Sequence, residues 1–470
     1  MKYLALALAL GAAFASGAAT AAPLPQEAIA TAVQLREQAL AGSGAYEVVE
    51  SLTTEVGPRM AGTPGDARAV AWAVETFRRL GFDRVYTEPV RYPVWRRGHE
   101  RAEVLAPWPQ PLHLTALGRS VGTGGRIEAE VVEFATLKDL ESVPDGQLAG
   151  RIAYVSNRMQ RARSGSGYGD AVGARGAGAS VASRKGAVAY LLRSIGTDSD
   201  RMPHTGTMRY EDGVRPIAAA ALSNPDADLL SHMLRRGQPV TLALDIDAGM
   251  TEDYESANVI AELRGRERPD EVVIIGGHLD SWDLGTGAID DAAGIAITAR
   301  AGALIAALPQ RPRRTVRVVA FANEEQGLLG GFAYAKAHAG EVRQHVTGAE
   351  SDFGAGRVYA FSTSAVPEDA RETVEQIAQA LAPLGIEHTP GQGGAGPDLI
   401  PMAQQGMAWA WLAQDGTDYF DYHHTANDTL DKVDAKALDQ NVAAYAVFTW
   451  LAAESEADFG SAPKAKAEAH

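Results

Sequence analysis

Cysteine is absent from all 470 residues. That excludes a disulfide framework and thiolate chemistry, and leaves any metal to be held by His and carboxylates. Positive charge is in short supply: 43 Lys and Arg stand against 59 Asp and Glu, for a net charge of −16. Nucleic acid and anionic membrane are therefore disfavoured as partners, whereas solubility and cation binding are not. Beyond the N-terminus no apolar run approaches the ~20 residues that a membrane-spanning helix needs. No internal repeat is visible. The glycine-rich stretch 165–178 lacks the GxxxxGK[ST] arrangement of a phosphate cradle and reads as a mobile loop.

The chain opens on a targeting pattern. Lys2 is a minimal basic region, Tyr3 to Gly17 is apolar, and Ala19-Thr20-Ala21 offers small-x-small cleavage. Residues 1–21 are thus expected to be an export signal, giving a periplasmic or secreted protein. Helical spacing marks 26–41, 44–55 and 67–80, and a strand is expected over 84–90. From 104 to 246 the character changes to short β-like runs (126–134, 151–155, 240–246) with one helix near 180–186. This block reads as a mostly β module inserted into an α/β domain. From 254 onward strands (272–276, 315–322, 346–350, 408–412) alternate with helices (291–308, 328–339, 368–382, 434–454). Such alternation predicts a sheet covered by helices on both faces, with ligands beyond the strand ends. The expected division is 22–103 and 247–455 for the two parts of the main domain, 104–246 for the insertion and 456–470 for a flexible tail.

Polar residues gather where the expected buried strands end. His278-Leu279-Asp280 follows 272–276, and a His-x-Asp pair can join a metal-binding imidazole to a carboxylate that fixes its tautomer. Alone, His278 reads more readily as a structural loop residue than as a ligand. Asp290-Asp291 opens a helix after a Gly-rich turn. One Asp suffices for an N-cap, whereas a carboxylate with two oxygens can also bridge two cations. Glu324-Glu325 closes the strand 315–322. Adjacent carboxylates repel unless a cation is near or one is protonated, so the pair reads as ligand plus general base, or else as a solvated acidic turn. Asp352 and His423-His424 complete the series. Each signal is weak by itself; the order His278, Asp290, Glu324-Glu325, Asp352, His424 is not.

That order, with the wording HLDSWD, GAIDDAAG, NEEQG, ESD and HHTANDT, resembles the M28 family of di-zinc exopeptidases over nearly all of the chain after the signal. The resemblance implies a zinc-exopeptidase α/β/α sandwich, with 104–246 as an inserted protease-associated domain. It also implies two Zn2+ per chain. Asp290 would bridge them, His278 and Asp352 would complete one site, and Glu325 and His424 the other. Glu324 would be the general base, Asp280 the partner of His278, and Asp291 would be joined to Asp290 by a cis peptide. His423 would take no zinc. Short unblocked peptides, dipeptides above all, are the implied substrates, and a homodimer the implied assembly. N-terminal aminopeptidase action is the alternative mode. A non-catalytic relative of transferrin-receptor type would have lost ligands, and here none is lost. None of the matched motifs holds an Arg assignable to a substrate carboxylate.

Overall fold

The structure, a computed structural model, describes residues 23–464. The expected export signal lies outside the described residues, as do positions 465–470. In chain order the strands are β1 (Arg84–Ala106), β2 (Gln110–Leu112), β3 (Leu114–Ala116), β4 (Ile127–Phe134), β5 (Ile152–Val155), β6 (Ala189–Arg193), β7 (Ala218–Leu222), β8 (Thr241–Leu263), β9 (Arg268–His278), β10 (Arg314–Phe321) and β11 (His345–Glu350). A small second sheet holds β12 (Val358–Thr363), β13 (Glu387–His388) and β14 (Ala410–Gln414).

The main sheet runs β11-β9-β10-β8-β4-β5-β6-β7-β3. Its two long strands, β1 and β8, pair antiparallel from Arg84 opposite Glu262 to Ala106 opposite Thr241. One end of β8 pairs with β10 and the other with β4, so a single strand carries the chain between two halves of the sheet. The expected strand 84–90 is therefore only the start of β1. Its pattern is obscured by bulges between Pro93 and Trp95 and between Arg97 and Glu100, where the alternation of faces slips.

β9 and β10 show why the stretches Val272 to Gly276 and Val318 to Ala322 are continuously apolar. Val273 and Ile275 of β9, with Val316, Val318 and Ala320 of β10, enter one core, while Val272, Ile274, Val319 and Phe321 enter another. Successive side chains point to opposite faces, and both faces are covered. One cover is the helix Ala435–Glu454, buried at every position from Ala437 to Glu454. It lies between the sheet and the helix Gln26–Ala41. The other cover is the helix Leu329–Ala337 with Ile400–Gln405. The outcome is a mixed α/β fold with helices on both faces of a large sheet.

Three expectations change. The middle block holds the helices Leu137–Glu141, Ser166–Arg184 and Asn224–Leu234 beside β4 to β7, so it is mixed α/β and not mostly β. The glycine-rich stretch 165–178, expected as a mobile loop, forms most of the helix Ser166–Arg184. Its glycines permit close packing: a Cβ on Gly178 would lie 2.2 Å from the Tyr190 ring, whose hydroxyl donates to the Ala174 carbonyl at 2.9 Å. The expected tail is also ordered further than its composition suggests. Phe459 is buried, and the Ser461 hydroxyl donates to the His345 carbonyl at 2.6 Å. Among the described residues no helix is long and apolar enough to cross a membrane.

Candidate active site

β9, β10 and β11 are parallel, so their C-terminal ends share one edge. His278 is the last residue of β9, and Glu324-Glu325 and Asp352 follow β10 and β11. Asp290 sits in the tight turn Ala288–Ala292 before the helix Ala293–Ala306, and its peptide bond to Asp291 is cis. Two of the turns use left-handed backbone at non-glycine residues, Asn323 (φ 52°) and His424 (φ 63°). That conformation costs roughly 1–2 kcal/mol for an L-residue, least for Asn and His, and must be held by the surrounding contacts.

The five expected ligand positions converge. His278 Nε2 lies 3.0 Å from Asp290 Oδ1 and 3.4 Å from Asp352 Oδ1. His424 Nε2 lies 2.9 Å from Glu325 Oε2 and 3.3 Å from Asp290 Oδ2. The two oxygens of Asp290 thus face two different imidazoles. Donor atoms of His278, Asp290 and Asp352 form one compact group, and those of Asp290, His423 and His424 a second, each within 4.8 Å. His423, to which the resemblance gives no metal, stacks on His424 with ring centroids 3.5 Å apart and brings its Nε2 to 3.7 Å from Asp290 Oδ2. It belongs to the second group, though it stands farther from a carboxylate than His278 or His424 does.

The donor set fits metal ions. Asp290 Oδ2 and Glu325 Oε1 are buried without a hydrogen-bond partner, an arrangement costly for a carboxylate unless a cation is close. Burial pushes Glu324 well above the usual carboxylate range, and the charges on Asp352 and Glu325 add to the shift. Glu325 is pushed up to about 7 by burial and the Asp290 charge. Against burial, which pulls it down, the Glu325 and Asp290 carboxylates hold His424 at about 9.

Asp280 contacts both His278 and the loop after β10. The nearest contact to His278 Nδ1 is the Asp280 main-chain carbonyl, at 3.1 Å, with the carboxylate at 3.6 Å. The carboxylate instead accepts from the Glu324 and Glu325 amides at 3.0 and 3.4 Å, tying the loop after β9 to the loop after β10. Asp291 is fully buried and accepts from the His278 and Gly294 amides. Gly277 is needed there, because a Cβ would sit 2.4 Å from Asp291 Oδ2. The His423-His424 loop is held by the segment Pro203-His204-Thr205-Gly206. His424 Nδ1 faces the Thr205 carbonyl at 3.3 Å, and His204 Nδ1 faces the His423 carbonyl at 2.7 Å. A carbonyl on Nδ1 fixes the tautomer that leaves Nε2 as the coordinating nitrogen.

Several residues that hold the site carry no signal in the sequence. Arg59, fully buried, donates to the carbonyls of Leu279, Thr286 and Gly287 at 2.5, 2.6 and 2.9 Å. Asp428 accepts from the Ala288 and Ile289 amides, both at 2.7 Å. Asp398 and Glu350 are a buried carboxyl pair beside Asp352, each with one unpartnered oxygen. Arg59 joins positions more than 200 residues apart through main-chain acceptors that have no side-chain identity to read. Arg59→Met should orphan three buried carbonyls and destabilise the fold by roughly 3–5 kcal/mol in urea unfolding. An unchanged unfolding midpoint would show that these contacts contribute nothing.

The cluster lines a cavity of about 300 Å³ walled by Tyr168, Phe353, Tyr419 and Phe420. A larger cavity, about 730 Å³, lies on the far side of Tyr419, but its charged groups include the satisfied pair Arg163–Asp415 and it contains none of the cluster. Chemistry, not volume, marks the site.

A carboxylate–histidine cluster at the parallel strand ends of an α/β/α sandwich defines a metal-dependent hydrolase. Comparison with known proteins sharpens this. The model of Peptidase family M28 matches residues 258–449. Human carboxypeptidase Q is 34% identical over 412 residues, covering 87% of this chain and 85% of the relative. Carboxypeptidase Q of Xenopus laevis is 34% identical over 425 residues, covering 90% and 89%. The crystal structure of a peptidase M28 precursor from Shewanella amazonensis is 49% identical, with a TM-score of 0.91 over 93% of this chain and 99% of that one. An aminopeptidase from Aneurinibacillus, 22% identical with a TM-score of 0.61 over 90% of this chain and 96% of that one, shares the fold. The chain belongs to the M28 peptidase family and is a metallopeptidase.

Proposed function

We propose that the protein is an exported di-zinc exopeptidase that hydrolyses short unblocked peptides, dipeptides foremost. The observation that carries this reading is the shared carboxylate, Asp290, whose two oxygens face separate histidines at the end of a small cleft. His278, Asp290 and Asp352 would hold one zinc, and Asp290, Glu325 and His424 the other. The relatives named carboxypeptidase Q support cleavage at a free carboxyl end.

When bound, two zinc ions supply an attacking water of lowered pKa and polarise the scissile carbonyl. The chain's own groups do the rest. Glu324 takes the proton from the attacking water and passes it to the leaving amine. Asp280 fixes Glu324 and Glu325 through their amides, so that base and ligand keep one spacing. The aromatic walls limit water around the charged groups and strengthen their interactions. Residues 104–246 would act as a protease-associated domain that shapes access, and residues 1–21 would direct export.

The zinc-loaded protein without residues 1–21, given a panel of dipeptides, N-blocked dipeptides, dipeptide amides and doubly blocked peptides, tests the reading. Turnover of free dipeptides is expected, with no cleavage when both ends are blocked. Rapid cleavage of doubly blocked peptides or intact protein would refute exopeptidase action. Preference for aminoacyl amides would assign the aminopeptidase mode instead.

A further inference from the structure

One buried cation of the middle block stands in the cavity wall without a counter-ion. Arg175, on the helix Ser166–Arg184, is only 6% exposed and lines the same cavity as Asp290, Glu324, Glu325 and Asp352. Two other buried arginines, Arg193 and Arg97, are matched by carboxylates. Arg193 pairs with Asp228 at 2.9 Å, and Arg97 with Asp283 at 2.9 Å and Glu100 at 2.6 Å. Arg175 is not. Among the described residues its one side-chain hydrogen bond runs from Nη2 to the Tyr168 hydroxyl, its Nε is buried with no partner, and no carboxylate forms an ion pair with it. A guanidinium removed from water without a counter-ion is costly, because its charge is left uncompensated.

A second unmet group sits in the same wall. Thr207 also lines the cavity, and its Oγ1 is buried without a partner. The fold makes room for the arginine: a Cβ on Gly206 would lie 2.3 Å from Nη1. The Tyr168 ring, 5.3 Å from the guanidinium carbon, steadies it from the side. A cation with free N–H groups and a hydroxyl, in the wall of a cavity otherwise lined by acids, imidazoles, tyrosines and apolar groups, suits an anionic ligand group. Arginine is the side chain best matched to a carboxylate, which it binds as a planar fork.

We propose that Arg175, with Thr207, binds the free α-carboxylate of the substrate and so sets cleavage to the dipeptidase or carboxypeptidase mode. This rests on the peptidase reading above. It divides the labour unequally along the chain: residues after 247 hold the metals, and the inserted block supplies the group that recognises the substrate's end. An acidic side chain offers the same chemistry, so the test separates the two sources.

The experiment compares three substrates, Ala-Ala, Ala-Ala-amide and Ala-Glu-amide, on the zinc-loaded wild type and on Arg175→Gln, with zinc content and thermal midpoint measured for each. Wild type should favour Ala-Ala over Ala-Ala-amide in kcat/KM by roughly 10–100-fold, the worth of a charge-assisted hydrogen-bonded pair. Arg175→Gln should raise KM for Ala-Ala by a similar factor and leave the amide within about threefold, so that the preference collapses. Thr207→Val should shift the same ratio less, by roughly 3–10-fold, and carries the test if Arg175→Gln does not fold. A merely structural arginine would lower both substrates together, and that result overturns the proposal. Efficient turnover of Ala-Glu-amide that depends on Arg175 overturns the α-carboxylate assignment in favour of an acidic side chain. Equal wild-type turnover of Ala-Ala and its amide removes the Arg175 proposal but leaves the peptidase reading standing. No turnover of any of the three removes both.

Discussion

Glu324→Gln is expected to keep its fold and its metal while losing roughly 10²–10⁴-fold in kcat, the usual contribution of a positioned general base. The substitution exchanges an oxygen for an NH2 group of nearly the same size, so packing is preserved. The Glu324 main chain is anchored independently of its side chain, by its amide on Asp280 at 3.0 Å and by the Gly327 and Leu328 amides on its carbonyl at 2.9 and 2.8 Å. The loss should therefore fall on kcat, with KM nearly unchanged, since a proton acceptor acts in the transition state and not in ground-state binding. Metal analysis of the purified variant beside steady-state kinetics gives the answer. A well-folded Glu324→Gln that has lost zinc would make Glu324 a ligand and sink its assignment as base. A variant with near wild-type kcat would require another base.

The parts of the molecule that could be read from sequence are those where side-chain identity alone sets the structure. β9 and β10 are legible because both faces are buried and the stretches Val272 to Gly276 and Val318 to Ala322 are continuously apolar. The residues at their ends were legible because His, Asp and Glu have little reason to cluster at a buried strand end without a cation. What escaped depends on main chain and distance. Bulges at Pro93 and Arg97 hid most of β1. The glycines of 165–178 suggest mobility, yet in the fold they lie at the start and along one helix, and Gly178 lets that helix press against Tyr190. Arg59 and Asp428 bind amides and carbonyls, and a main-chain partner leaves no mark in a sequence. In the sequence His423 is only the neighbour of a ligand; in the fold it stacks on His424 with its Nε2 3.7 Å from Asp290 Oδ2. Arg175 lay outside every motif, in a block assigned only to access.

Asp290→Ala should have the larger effect of the two substitutions, because it removes both oxygens that face the paired histidines. In the intact cluster the Asp290 carboxylate is held well below its ordinary range: burial raises it, but His278 and His424 more than offset that. An alanine there leaves His278 with Asp352 on one side and His424 with Glu325 on the other, and nothing shared between them. Each remaining pair is a poor zinc site, since tetrahedral sites draw three or four ligands from the protein. Affinity should fall by more than the ~10–100-fold typical for loss of an outer-shell partner. Turnover should drop below that of Glu324→Gln, and added zinc should not restore it. The protein should still fold, because Asp291, and not Asp290, accepts the His278 and Gly294 amides that tie this turn to β9. Dialysis against a chelator followed by zinc counting and kinetics distinguishes the outcomes. Loss of both equivalents supports the shared carboxylate, whereas retention of one with residual activity confines Asp290 to a single site. Full retention of both would remove Asp290 from the metal centre altogether, and with it the reading of the cluster as a bridged pair.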